Sequence, residues 1–312
     1  MKVTFITVCY NTPNLIRVLL RGAEQARFDF PFEYYLVDNG SDGTADMVEK
    51  RFPWVTVIRP GKNLGFAKAN NLAMAQAKGE YVMLVNPDLT IFSGEMEKLL
   101  ACADAHTDVG VLGPLLVAPN GVRQETCVRF PSPLIPIYQR TILGRTKQGK
   151  KTLDHYHMRD LDHTQMHDAD SLYGAAMLLR SSALQDVGGF DERFFMYYED
   201  VDLCRRMRAN GWRVLFAPHA KFVHYHQRES LIRSPWEIAT NRLVRIHIAS
   251  GIRYLLKYMR EPAPKSFDQV NGERVDSVGA RRGVPEQSPF AEATGDREET
   301  LQRDLEGHEA TS

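Results

Sequence analysis

The sequence predicts an α/β protein built on a mostly parallel sheet covered by helices on both faces. Three observations carry this expectation. Short apolar, β-branched runs alternate with helical patterns through the first half of the chain. These runs are apolar throughout, as strands buried on both faces are. Each run also ends in a cluster of Asn, Asp and Gly, and ligands of such sheets bind at the carboxyl ends of the strands.

Taken in order, Val3–Val8 is the first strand, and Asn11-Thr12-Pro13 opens a helix running to about Arg27. Tyr34–Val37 is the second strand, broken by Asp38-Asn39-Gly40-Ser41-Asp42-Gly43, which feeds a helix to Arg51. Val55–Ile58 is the third, followed by a Gly/Asn turn and an alanine-rich helix over Phe66–Lys78. Tyr81–Val85 is the fourth and ends in Asn86-Pro87-Asp88. The segment Val117 to Asp170 reads as irregular. Order is expected to return at Tyr173–Arg180, at a helix over Glu199–Asn210, and at strands Arg213–Phe216 and Lys221–His224. One long amphipathic helix is predicted from Trp236 to Arg260.

The 312 residues hold 39 basic and 39 acidic side chains, 43% hydrophobic and 10% aromatic residues, the composition of a globular protein with a real core. Collagenous, disulfide-stapled and wholly disordered classes are excluded, and zero net charge argues against nucleic acid as a partner. The zero is a cancellation. Residues 261–312 carry 12 acids and 6 bases, which leaves 27 acids and 33 bases in residues 1–260. Four scattered cysteines read as reduced thiols of a cytoplasmic protein. No apolar run approaches the roughly 20 residues that span a bilayer, and the first residues are strand-like, unlike a signal peptide.

Several residues are candidates for chemistry. Asp38 stands at a strand end before glycines, where it can accept hydrogen bonds from a ligand or simply cap a turn. Asn63 and Asn70 flank the next crevice loop. Asp88, two residues past a buried strand and aimed by Pro87, suits a hard divalent cation, Mg²⁺ or Mn²⁺. The acid pair Glu199 and Asp200 opens a helix after Phe194-Phe195-Met196-Tyr197-Tyr198. The two side chains diverge by about 100° on a helix, so one can face the crevice as a general base while the other anchors the structure. His224 closes a strand. The histidines His155, His157, His163 and His167 lack a two-plus-two Cys/His grouping or HExxH spacing and read as a solvated loop, which argues against zinc. On the last helix Arg242, Arg245, Arg253, Lys257 and Arg260 share an arc of about 120°, which suits an anionic membrane surface as well as a solvated face.

In order and spacing these motifs resemble the family-2 glycosyltransferases of GT-A fold, in particular their bacterial rhamnosyltransferase-like branch. The resemblance covers about Val3 to Ser230 and rests on VDNGSDGT at Val37–Thr44, NLGFAKANN at Asn63–Asn71, NPD at Asn86–Asp88, GAAMLLR at Gly174–Arg180, GGFDERFFMYYEDVDLCRRMRANGW at Gly188–Trp212, and Pro218 to Ser230. It implies a Rossmann-like sheet that binds a nucleoside-diphosphate sugar, with dTDP-rhamnose favoured, and a lipid-linked glycan acceptor in cell-surface polysaccharide synthesis. By the same resemblance Thr7, Tyr10, Asn11 and Asp38 hold base and ribose, with Asn63, Asn70 and Asn86 also on the donor. Gly174 and Ala175 pass beneath the donor sugar. Asp88, with His224, holds the divalent metal. Asp200, paired with Glu199, is the base of an inverting transfer. Asn86 replaces the first acid of the family's usual DxD, which leaves Asp88 as the carboxylate of that motif.

The implied organisation is a catalytic domain over 1–230, with a nucleotide-binding half 1–116 and an acceptor half 117–230. A basic helical segment follows at 231–260, and then a disordered acidic tail at 261–312. The expected location is cytoplasmic, with peripheral attachment to the inner membrane. Two other readings are a nucleotidyltransferase and an inactive sugar-nucleotide-binding scaffold. Cys9-Tyr10-Asn11-Thr12-Pro13 lacks the Gly-rich basic loop of the first, and the intact acids argue against the second.

Overall fold

The computed structural model describes residues 1–225, 240–261 and 263–264. The elements run β1 (Val3–Cys9), α1 (Pro13–Ala26), β2 (Phe32–Asp38), α2 (Thr44–Arg51), β3 (Val55–Ile58), α3 (Phe66–Met74), β4 (Tyr81–Val85), β5 (Leu89–Ile91), α4 (Glu95–Ala105) and β6 (Val109–Val117). There follow β7 (Cys127–Val128), α5 (Leu134–Arg140), α6 (Lys147–Tyr156), β8 (His167–Asp168), β9 (Ser171–Leu172), β10 (Ala176–Arg180), α7 (Ser181–Val187), α8 (Glu199–Ala209), β11 (Arg213–His224) and α9 (Arg242–Tyr258).

The main sheet is ordered β3-β2-β1-β4-β10-β6-β11-β5, with β8 added alongside β11. The four strands of the first half pair in parallel, as expected. Beyond β4 the sheet is mixed: β10 runs antiparallel to both β4 and β6, while β11 is parallel to β6 and antiparallel to β5 and β8. Strand order and direction there depend on pairings between segments distant in sequence, which local pattern does not encode. Two core layers cover the two faces. Ile16, Leu20, Val48, Leu99 and Leu100 pack against Phe5, Leu36 and Met83 on one side. Ala67, Ala73, Leu184, Leu203 and Met207 pack against Ile6, Leu84 and Leu179 on the other. With both faces dry, β1 is buried almost throughout, which explains why it reads as a continuous apolar run.

Three expectations need correction. The two strands foreseen at Arg213–Phe216 and Lys221–His224 are one strand, β11, with an irregularity between Ala217 and Lys221. The 117–170 segment is not irregular: it holds α5, α6 and short strands, and while His155 is exposed as expected, His157, His163 and His167 are half-buried. His157 pairs with Glu125 at 2.8 Å, and His163 and His167 pack on Phe216 of β11. Burial works to raise the Glu125 carboxyl, but His157 and Arg159 outweigh it and hold the group down at about 2. Finally, α9 starts at Arg242, because the Asn241 side chain caps it by accepting from the Leu243 and Val244 amides at 2.9 and 3.4 Å. Trp236, residues 226–230 at the end of the expected catalytic segment, and the acidic tail beyond 264 lie outside the described residues.

Candidate active site

The crevice lies along the carboxyl ends of β1, β2 and β4, and its loops are stitched together by side chains. At the end of β2, Asp38 is buried, and its carboxylate accepts from the Gly40 and Ala45 amides at 2.9 and 3.0 Å. It thereby fixes the glycine loop and the start of α2. Asn11, in the left-handed region at φ 55, accepts from the Ser41 amide at 3.3 Å and joins the β1 loop to the β2 loop. A Cβ on Gly40 would lie 2.5 Å from the Asn11 Oδ1, so that close approach requires glycine. Tyr10 is half exposed beside it. Thr7 does not reach the crevice: it is fully buried, bonded at 2.8 Å to both the Val85 carbonyl and the Tyr34 hydroxyl.

Asn63 and Asn70 also serve the local backbone. Asn63 Oδ1 accepts from the Gly65 amide at 2.9 Å, and Asn70 Nδ2 donates to the Phe66 carbonyl at 2.9 Å within its own helix. Gly65 (φ +80) is indispensable in another way. A Cβ there would meet the Phe195 carbonyl at 2.2 Å, and that carbonyl accepts from the Phe66 amide at 2.7 Å. Asn71, which nothing in the sequence pattern singles out, exchanges two 2.9 Å hydrogen bonds with the Phe190 backbone. Helix α3 is thus tied to the loop that precedes the acid pair.

At the end of β4, the Asn86 amide donates to the Ala175 carbonyl at 2.9 Å, because β10 lies next to β4. This places Gly174 and Ala175 beside the Asn86-Pro87-Asp88 turn. Pairing of β5 with β11 sets His224 opposite Leu89, and His224 Nε2 comes to 3.3 Å from the Asp88 carboxylate. The other nitrogen, Nδ1, lies 2.7 Å from Gln124 Oε1, while Gln124 Nε2 donates to the His224 carbonyl at 2.9 Å. An amide oxygen only accepts, so Nδ1 donates to Gln124 and Nε2 is the nitrogen turned toward Asp88. A histidine held this way, next to a carboxylate, is a fitting donor set for a divalent cation whose remaining positions go to water and phosphate oxygens. Gln124 could not be picked out in sequence, since nothing local distinguishes it.

Across the crevice, α8 begins after a strained reversal. Tyr197 and Tyr198 both adopt left-handed conformations, at φ 70 and 68, costing about 1–2 kcal/mol each. Asp200 is half-buried, and its Oδ2 accepts from the Gly174 amide at 2.9 Å while Oδ1 accepts from the Val201 amide at 2.8 Å. Residues expected from sequence to underlie the donor sugar and to act as base are therefore in contact. Burial pushes the Asp200 carboxyl above its ordinary value, against the lowering effect of the two amides. Glu199 points into the interior. Burial and then the Asp200 charge hold it well above the ordinary carboxyl range, and Oε2 has no hydrogen-bond partner among the described residues.

Helix α9 supports the reversal from behind. Ser250 Oγ donates to the Met196 carbonyl at 2.8 Å, and His247 stacks on Tyr197 at 4.5 Å. Tyr198 lies so close to Gly251 that a Cβ there would be 3.2 Å from its ring. Lys257 reaches Asp191 at 2.7 Å and also Asp202, which is fully buried and accepts from Arg206 at 2.8 Å and Tyr258 at 2.7 Å. Desolvation of Asp191 is more than offset by Arg193 and Lys257, which hold its carboxyl far below the usual range. Of the basic arc foreseen on this helix, Lys257 is turned inward to Asp191 and Asp202, while Arg253 stays exposed and reaches the Arg193 carbonyl in the loop before α8. Exposed on this helix are Arg242, Arg245, Ile252, Arg253, Leu256, Met259 and Arg260.

The Glycosyl transferase family 2 pattern matches residues 4–188, more than half of the chain. The chain belongs to this family. A second match, to Glycosyl transferase family group 2, covers residues 137–240. Among relatives of this glycosyltransferase, the N-acetylglucosaminyl-diphospho-decaprenol L-rhamnosyltransferase of Mycobacterium tuberculosis is 35% identical over 217 residues, covering 66% of this chain and 70% of that protein. Rhamnosyltransferase WbbL of Escherichia coli is 25% identical over 219 residues, covering 66% and 75%. Among solved structures, TarS 1-349 of S. aureus in complex with UDP-GlcNAc superposes with a TM-score of 0.51 at 22% identity, over 80% of this chain and 66% of that one. The mannosyltransferase PcManGT of Pyrobaculum calidifontis, in complex with GDP-Man and Mn²⁺, gives 0.50 at 20% identity, over 81% and 64%. The chain spans only 37% of the longer TarS chain. At these identities the structural likeness establishes the GT-A fold of the glycosyltransferase.

Proposed function

We propose that this glycosyltransferase moves a sugar, rhamnose from dTDP-rhamnose being favoured, onto a hydroxyl of a polyprenyl-linked glycan, with inversion at the anomeric carbon. The observation that carries the reading is the contact between Asp200 Oδ2 and the Gly174 amide, one residue before the Ala175 carbonyl that holds the Asn86 amide. The rhamnosyltransferase relatives support the choice of sugar and of a lipid-linked acceptor.

In this mechanism the Asn11 and Asp38 loops form the wall for base and ribose, and Gly174 offers a floor without a side chain under the sugar. Asp88 and His224 would hold Mg²⁺ or Mn²⁺, which supplies positive charge to the departing nucleoside diphosphate. Asp200 takes the proton from the acceptor hydroxyl. The acceptor oxygen then bonds to the anomeric carbon as the bond to the diphosphate breaks. The two amides keep the Asp200 carboxylate oriented, and its raised pKa makes it a better base than an exposed aspartate. Glu199 points inward, where burial and the Asp200 charge favour its neutral form over a second adjacent charge.

A donor screen tests this reading. Thermal shift with thymidine, uridine and guanosine diphosphate sugars, with Mg²⁺ or Mn²⁺, should show stabilisation by one nucleotide class. Asp88→Ala should lose the metal-dependent part, and equal shifts with and without metal in both proteins would remove Asp88 from that role.

We also assign the outward stripe of α9 to a bilayer surface on the cytoplasmic side. Ile252, Leu256 and Met259 are 54%, 64% and 69% exposed, and Arg245 and Arg260 share their face, a pattern suited to insertion among anionic headgroups. No described helix is long and apolar enough to cross a membrane. Replacing the three apolar residues by Ser should reduce co-sedimentation with anionic vesicles; unchanged binding would reject this surface.

A further inference from the structure

A second cluster of ligating side chains lies outside the crevice, in the 117–170 segment. Cys127 on β7, His163 in the turn after α6, and His167 on β8 each present one ligand atom, all within 4.8 Å of one another. Cys127 is buried and both imidazoles are half-buried. Cys127 Sγ and His163 Nδ1 are 3.9 Å apart.

The histidines are oriented for this meeting by the backbone. His163 Nε2 lies 2.9 Å from the Met158 carbonyl oxygen, and His167 Nδ1 lies 3.3 Å from the Asp168 carbonyl oxygen. A carbonyl accepts only, so each of those nitrogens carries the ring proton. The lone pairs then fall on His163 Nδ1 and His167 Nε2. Metal-binding histidines are commonly held by such a bond on the far nitrogen. Both rings also pack against Phe216, with centroids 5.6 and 5.0 Å away, which limits their rotation.

We propose that Cys127 Sγ, His163 Nδ1 and His167 Nε2 form a zinc site, with a fourth position open to water. Thiolate and imidazole are borderline-soft donors that favour zinc over the hard cations suited to Asp88. Ligand atoms around tetrahedral zinc sit about 3.3–3.7 Å apart given bonds of roughly 2.0–2.3 Å, so the three groups need to draw in by about 1 Å. The two histidines have the H-x3-H spacing of structural zinc sites. The third ligand comes from 36 residues upstream of His163, which is why local spacing does not reveal it. On binding, zinc replaces the thiol proton, which passes to solvent.

The position of the site gives it a structural role. Cys127 is in register with Leu172 of β9, two residues before Gly174, and His167 is in register with Phe216 of β11. A metal there ties β7, the partner of the strand that leads into the crevice floor, to β8 beside β11 of the main sheet. This inference is independent of the donor, the acceptor and the catalytic base.

The test uses the full chain without a histidine tag, loaded with zinc, dialysed and assayed for metal content, and separately loaded with Co²⁺ for absorption spectroscopy. About one zinc per chain is expected, with a near-ultraviolet sulfur-to-cobalt charge-transfer band and visible bands of tetrahedral cobalt. Cys127→Ser should abolish the band, His167→Ala should lower zinc retention at least about tenfold, and Cys102→Ser should leave both intact. A wild-type chain that retains no zinc and gives no charge-transfer band overturns the proposal without recourse to any variant. So does a Cys127→Ser chain that keeps both.

Discussion

The two walls of the crevice are built differently. On the proposed donor side, three polar residues are held by their own neighbourhood, Asp38 by amides two and seven residues on, Asn63 by Gly65 and Asn70 by Phe66, while Asn11 joins its loop to the next through Ser41. On the proposed acceptor side, partners come from far along the chain. Gly174 meets Asp200, Gln124 meets His224, and Ser250 meets Met196. Local stitching makes a wall that forms with its own loops. The acceptor wall exists only once β10, β11 and α9 are all in place, and it is this wall that carries the raised acids and the two strained tyrosines.

The sharpest way to break the contrast is at the acid itself. Asp200→Asn should lower turnover by about 10²–10⁴-fold while donor affinity stays within about twofold, read by initial rates and calorimetry. Weakened donor binding equal to the loss of turnover would put Asp200 on the donor wall instead.

A smaller effect is expected from the support behind it. Gly251→Val would push against Tyr198 and displace the α8 N-terminus. The kcat should fall by about tenfold to a hundredfold, with donor KM unchanged and the sheet still folded. If kcat holds while thermal stability drops, α9 merely packs on the domain.

The smallest effect concerns Glu199. Its folded-state pKa is raised, so between the ordinary value of 4.5 and the folded value the native protein binds more protons than the unfolded chain. Stability therefore falls as pH rises through that window. Glu199→Gln removes this dependence, and its melting temperature should exceed that of the parent at neutral pH. The gain should shrink as pH falls toward 4.5. A gain independent of pH would mean that Glu199 does not change protonation on folding.

The comparison also explains what is legible in sequence. The donor loops can be read because each is a strand end followed by its own turn residues. Asp88 is legible as an acid past a strand, but its approach to His224 depends on pairing of β5 with β11. Thr7, which the family resemblance put on the base and ribose, is fully buried in β1, a strand covered on both faces, where alternation gives no sign of which side a residue takes. The basic arc of α9 follows from helical geometry alone. Its direction is decided by Asp191 and Asp202, two acids on other elements that draw Lys257 inward.

The sequence by itself determined the α/β class, the first four strands, the polar clusters at their ends and the order of the family's motifs, since all of these are written in short-range pattern. Tertiary structure alone decided the reversal of β10 that brings Gly174 to Asp200. It also decided the pairing that brings His224 to Asp88, and the difference in burial between the adjacent acids Glu199 and Asp200. Desolvation and contact arise from what surrounds a residue, and most of those surroundings here are contributed by chain segments remote in sequence.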